Sequence, residues 1–158
     1  MSARTRNAQG FTLVEILIVV VILGILAAIV IPQFTNASET AKASNLTSQL
    51  QSIRSQLELY QVQHNGSYPD LSANWNRFTM YTDIAGTTNA TKTAVFAYGP
   101  YLQQSPINPF TASSTTAAAA GATVGWVYSS TTGVIKASIT AAKASTLNLS
   151  TDNDVATY

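Results

Sequence analysis

The 158-residue sequence has no cysteine, a single histidine and only 9% charged residues, against roughly 25% in soluble domains. Without cysteine there is no disulfide framework, thiolate zinc site, iron–sulfur cluster or cysteine nucleophile. His64 would have to serve any Ser-His-Asp triad or histidine metal cluster alone, and its place at the end of a helical stretch favours a capping role. Eight Lys and Arg against seven Asp and Glu give a formal charge of +1, too few clustered cations to grip nucleic acid as a primary partner. Low net charge with 46% hydrophobic residues excludes wholesale disorder. The length suits about one domain.

The apolar residues are concentrated. Phe11 to Ile31 reads FTLVEILIVVVILGILAAIVI, and only Thr12 and Glu15 are clearly polar. At about 1.5 Å per residue, a helix of this length spans roughly 31 Å, enough to cross a hydrocarbon core of about 30 Å. The leader before it carries Arg4 and Arg6 and no acid, which keeps the N-terminus cytoplasmic under the positive-inside rule. A removable signal peptide would have an apolar stretch of about 7 to 15 residues ending at small residues. Here the stretch runs past Ala27-Ala28 to Ile31. Glu15 separates the readings further, because a carboxylate in an apolar span costs on the order of 2.5 to 3.5 kcal/mol at central positions, and its presence points to a partner.

Gly10-Phe11-Thr12-Leu13-Val14-Glu15, followed by the apolar run and Pro32, closely resembles the processing site of type IV prepilins and type II secretion pseudopilins. The resemblance implies cleavage between Gly10 and Phe11 by a membrane-embedded prepilin peptidase, and methylation of the new amino group on Phe11. It also implies a partner for Glu15, the Phe11 amine of a neighbouring subunit. Removing the leader leaves six basic against seven acidic residues, so the mature side chains sum to −1 and the basic character belongs to the precursor.

Beyond Ile31 the chain turns polar while keeping a helical pattern. Pro32 removes one backbone hydrogen bond and Gly24 weakens the span, but Gln33 to Gln63 contains neither Pro nor Gly. Leu46, Leu50, Ile53, Leu57 and Tyr60 form one stripe opposite Ser44, Ser48, Ser52 and Ser55. His64-Asn65-Gly66 supplies the stop. The predicted helix from Phe11 to Gln63 would be a rod of roughly 80 Å. Small residues on it, Gly24 among them, allow close helix approach.

In the remainder, Gly66-Ser67-Tyr68-Pro69-Asp70 is a turn by composition, with Asp70 suited to cap a short helix through Trp75 and Phe78. Thr123 to Ser129 and Val134 to Ile139, joined by Ser130 to Gly133, form the best hairpin candidate, and Val95 to Tyr98 is a further short strand. Thr87 to Thr93 and Thr111 to Ala122 are small-residue stretches expected as mobile surface loops. Tyr68-Pro69, Gly99-Pro100-Tyr101-Leu102 and Pro106 to Pro109 resemble head-domain segments of major pseudopilins. In that family calcium commonly organises a C-terminal loop, which nominates Asp152 and Asp154 as ligands; no other cofactor is expected.

The expected architecture is α+β, a pilin fold: a long N-terminal helix packed on a small antiparallel sheet. Residues 1–10 are the leader, 11–31 the membrane or filament-core helix, 32–64 its amphipathic half and 65–158 an extracytoplasmic head with a C-terminal hairpin. The resemblance implies a non-enzymatic subunit, anchored by one pass in the inner membrane with its head in the periplasm. It would polymerise with copies of itself on an inner-membrane assembly platform with minor pseudopilins, as a type II secretion pseudopilus. A surface pilus for adhesion, motility or DNA uptake is the alternative, and an anchored periplasmic enzyme or binding protein would need a polar pocket for which the sequence offers no candidate.

Overall fold

The computed structural model describes residues 10–151 and 154–158. Contacts divide the chain between Ser38 and Glu39 into two units, and helix α1, Leu13–Gln63, contributes to both. In the first unit α1 runs through Pro32. The missing proline N–H deprives the Ala28 carbonyl of its usual donor, while one turn on the Thr35 hydroxyl donates to the Ile31 carbonyl at 3.2 Å. Every described side chain of this unit is exposed.

The second unit starts with the rest of α1 and continues through α2 (Asn76–Thr79), β1 (Tyr81–Thr82), β2 (Thr88–Asn89), β3 (Thr116–Ala117), β4 (Trp126–Tyr128), β5 (Ile135–Ile139), α3 (Ala141–Thr146) and β6 (Val155–Thr157). The main sheet has the order β3-β4-β5-β6, and β1 pairs with β2 separately. The architecture is α+β, as expected of a pilin fold, and the sheet is mixed. The central β4–β5 pair is the predicted antiparallel hairpin, with Trp126 opposite Ala137, whereas β3–β4 and β5–β6 run parallel. The hairpin is followed by α3 and β6, so it is not the last element of the chain. Both stretches expected as irregular loops carry strands, β2 and β3. Val95 to Tyr98 contributes only a bridge between Thr82 and Tyr98.

The core follows from helical periodicity. Leu46, Leu50, Ile53, Leu57 and Tyr60 are the buried residues of α1, while the four serines opposite them are exposed. Against this stripe pack Leu71, Phe78, Trp126, Ile135, Ile139 and Val155, each essentially inaccessible, in one apolar cluster. Burying each large aliphatic side chain contributes about 1.5–3 kcal/mol. The α1 terminus is closed by left-handed backbone at Asn65 (φ 54°) and Gly66 (φ 80°), and the Gly66 N–H donates to the Gln61 carbonyl at 2.9 Å. This is the six-to-one bond of a Schellman-type stop. Asp70 accepts from the Ser72 amide and hydroxyl, so it shapes the turn ahead of α2, while Asn74 accepts from the Asn76 amide at the helix start.

Two carboxylates make this unit acid-sensitive. The Lys143 ammonium, 2.5 Å from Glu39, holds its carboxyl below the ordinary 4.5, and the Ser72 hydroxyl does the same for Asp70, whose ordinary value is 3.8. A depressed carboxylate stabilises the fold above its unfolded value and loses that contribution as pH falls through the folded one. The melting temperature is therefore expected to hold from neutrality to about pH 5 and to fall below pH 4, traced by near-UV circular dichroism. In the same assay Leu50→Ala should cost about 2–5 kcal/mol, and Val62→Ala, at a side chain 81% exposed, about 0.5 or less.

Candidate functional site

Gly10 and Phe11 precede α1 and lie outside the helix. Thr12 occupies the N-cap and Glu15 the third helical position. The Thr12 N–H donates to Glu15 Oε2 at 2.8 Å, the Thr12 hydroxyl donates to the same oxygen at 2.8 Å, and the Glu15 N–H donates to Thr12 Oγ1 at 3.2 Å. This is a capping box: side chain and backbone of each residue satisfy the other, and two donors that a helix start leaves open are filled. The carboxylate also lies in the first turn, where the helix dipole favours negative charge. Glu15 therefore has partners inside its own chain.

Around the box the surface is apolar on every side. Phe11 and Leu13 are each 82% exposed, and the large side chains from Val14 to Ile31 are half-exposed all round the helix. The helix is long and apolar enough to cross a membrane. A helix hydrophobic on all faces requires lipid or other helices around it. At Gly24 an added Cβ would meet no atom within 4 Å, so nothing within the chain requires glycine there; what a missing side chain permits is close approach of another helix. Pro32 marks the end of the apolar run without ending α1.

Residues 5–31 match the family described as the prokaryotic N-terminal methylation motif. The chain is 44% identical over 64 residues to the type II secretion system core protein G of Pseudomonas aeruginosa, covering 40% of this chain and 44% of that protein. In its N-terminal part the chain is similar to type IV pilin-like proteins. It is also 43% identical over 60 residues to the type IV wide pilus major component PilA4 of Thermus thermophilus, covering 38% of this chain and 46% of that one. A longer match, 29% identical over 105 residues, joins it to the core protein G of Aeromonas hydrophila, with 66% and 69% covered. The chain thus spans under half the length of the first two relatives. No solved structure matches.

Elsewhere in the chain His64 serves structure. His64 is 2% exposed and stacks on Tyr60 with ring centroids 3.7 Å apart. Its Nδ1 lies 2.9 Å from the Tyr60 carbonyl and its Nε2 lies 3.0 Å from Thr82 Oγ1. A carbonyl only accepts, so Nδ1 donates to it, and Nε2 pairs with the Thr82 hydroxyl. The imidazole caps one of the last α1 carbonyls. Asp152 lies outside the described residues, and the Asp154 carboxylate sits 3.4 Å from the Arg54 guanidinium. Among the described residues no group of three His, Cys, Asp or Glu comes together to hold a metal.

Two residues escaped the sequence reading. Thr12 was legible as the start of a Thr-x-x-Glu box before an apolar run. Asn108 had no local signal. It is fully buried, its amide donates to the Gly125 and Ser138 carbonyls at 2.8 and 2.7 Å, and its carbonyl accepts from the Phe110 N–H, tying the proline-rich segment to the hairpin.

The capping box makes a specific prediction. Thr12→Ala should cost the helix start about 1 kcal/mol, read as roughly fivefold faster amide exchange at Glu15 in detergent micelles, and Thr12→Ser should keep the wild-type rate.

Proposed function

We propose that the protein is the structural subunit of a type IV pilus-like filament, most specifically the major pseudopilin of a type II secretion system. In this reading prepilin peptidase cuts Gly10–Phe11 and methylates Phe11, and the subunit polymerises through its N-terminal helix. The observation that carries the reading is that α1 is apolar on every face up to Ile31, with one carboxylate there, Glu15, just after the methylation-motif site. Such a helix suits lipid before assembly and a bundle of identical helices afterwards. The head then faces the periplasm, and the inner-membrane platform and minor pseudopilins are the remaining partners. The activity is mechanical and not enzymatic.

Cleavage changes the electrostatics around Glu15. A new cationic amine appears four residues before the carboxylate, and in a filament core the same amine from a neighbouring subunit can be matched to it. Leaving a buried charge unpaired costs about 3–5 kcal/mol, so the pair acts mainly by penalising wrong registers. The match to the Thermus wide-pilus component, nearly as strong as the match to core protein G, keeps a surface pilus for adhesion, motility or DNA uptake as the second reading.

Glu15→Gln is expected to leave expression and membrane insertion intact while lowering the yield of sheared filaments by roughly tenfold or more. Filaments as abundant as wild type would remove the pairing claim. Deleting the gene should abolish export of folded proteins and leave surface fibres unchanged; loss of long surface fibres with secretion intact would favour the second reading.

A further inference from the structure

The stop that ends α1 contains a covalent weak point. Asn65 is the one asparagine in the sequence followed by glycine, and Asn65, Gly66 and Ser67 are exposed. An asparagine side chain is open to attack by the backbone nitrogen of the next residue, and glycine, with no side chain, leaves that approach unhindered. In the fold this nitrogen is committed elsewhere. Asn65 and Gly66 both take left-handed backbone (φ 54° and 80°), the Gly66 N–H donates to the Gln61 carbonyl at 2.9 Å, and Gln61 Nε2 donates to the Gly66 carbonyl at 3.3 Å. The Ser67 N–H donates to the His64 carbonyl at 3.0 Å. Beyond its chain neighbours, nothing lies within 4 Å of the place a Gly66 Cβ would take. Water therefore reaches the turn, and hydrogen bonds alone hold the nitrogen in place.

We propose that Asn65–Gly66 is a latent deamidation site, held closed by the Schellman-type stop and released when the end of α1 frays. The reaction needs water and no oxidant or reductant. The Gly66 amide gives up its proton, its nitrogen forms a bond to Asn65 Cγ, and the Cγ–Nδ2 bond breaks as Nδ2 takes up a proton and leaves as ammonia. Water then opens the cyclic imide at either carbonyl, giving aspartate in the normal linkage or an isoaspartyl linkage that runs through the β-carbon. The proton lost in the first step is the one donated to the Gln61 carbonyl, so the stop must open before the ring can close. Neither product suits the turn. A carboxylate at a helix C-terminus opposes the dipole, and the isoaspartyl form adds a carbon to the backbone inside the six-to-one bonded loop. His64, buried and stacked on Tyr60, directly precedes the site, so a stop that no longer closes loosens the joint between α1 and the aromatic cluster. The modification accumulates with each opening of the helix end and is not reversed.

The test ages the full chain in detergent micelles at mildly alkaline pH, maps aspartate and isoaspartate by peptide mass spectrometry, and follows amide exchange of Gly66 in the same sample. Asn65 is expected to be the first asparagine modified, ahead of Asn148, which shares the left-handed backbone (φ 52°) but precedes leucine. With the head unfolded in urea, Asn65 should deamidate roughly tenfold faster or more, since the reaction no longer waits on local opening. Gln61→Ala removes the side-chain half of the clamp and should raise Gly66 exchange and Asn65 deamidation by the same factor, about twofold to fivefold. Equal rates in the folded and urea-unfolded protein would overturn the proposal. So would another asparagine leading in the folded chain, or faster Gly66 exchange in Gln61→Ala without faster deamidation.

Discussion

One carboxylate in the otherwise uncharged apolar span at the start of α1 constrains everything else about this chain. A charge in low dielectric must be matched, and the chain supplies the first match itself by placing Glu15 three residues after Thr12, where the cap hydroxyl and amide both point at it. The box has a second effect. By fixing the helix start at Leu13, it leaves Gly10 and Phe11 outside the helical hydrogen-bond ladder. In the proposed filament, the amine released at Phe11 becomes a stronger partner than a neutral amide, because charge-assisted hydrogen bonds are about twice as strong as neutral ones.

The low charge content of the chain then has two physical sources. The span from Phe11 to Ile31 carries a single charged side chain, Glu15. The head replaces Lys and Glu by Ser, Thr and Asn, and puts several of the hydroxyls to structural use. Ser113 and Thr115 both donate to the Thr123 carbonyl, and the Ser138 hydroxyl donates to the Gly121 carbonyl while accepting from its amide. Three pairs among the remaining charges sit at joints: Glu39 with Lys143 between α1 and α3, Asp70 with Arg77 between the turn and α2, and Arg54 with Asp154 between α1 and the tail.

Local periodicity was legible in the sequence, and non-local pairing was not. The stripe from Leu46 to Tyr60 could be read because helix geometry alone puts those positions on one face, and the β4–β5 hairpin because its strands and turn are contiguous. Gly133, at φ 71°, fits the turn for a reason visible only in three dimensions as well: a Cβ there would run into the Tyr68 ring. Strands β3 and β6 could not be read. They are two and three residues long, lie in stretches without alternation, and form only because a distant strand offers its edge. Thr111 to Ala122 looked like an unstructured loop because its composition is small and polar, yet its Thr115 carbonyl accepts from the Gly125 and Trp126 amides and joins it to the hairpin. Of the site, Gly10, Phe11 and Glu15 stood out by motif; Thr12 carried an equally local signal, and its hydroxyl proved to be half of the box.

The central claim, that Glu15 is kept for an amine created at Phe11, rests on where the mature chain begins. Mass spectrometry of the N-terminal peptide from protein isolated from its native membrane tests this most directly. The account predicts a peptide that starts at Phe11 and carries one methyl group on its amine. An intact Met1 or a cut after Ala28 would contradict it, because Glu15 would then have either no new amine beside it or no place in the mature protein.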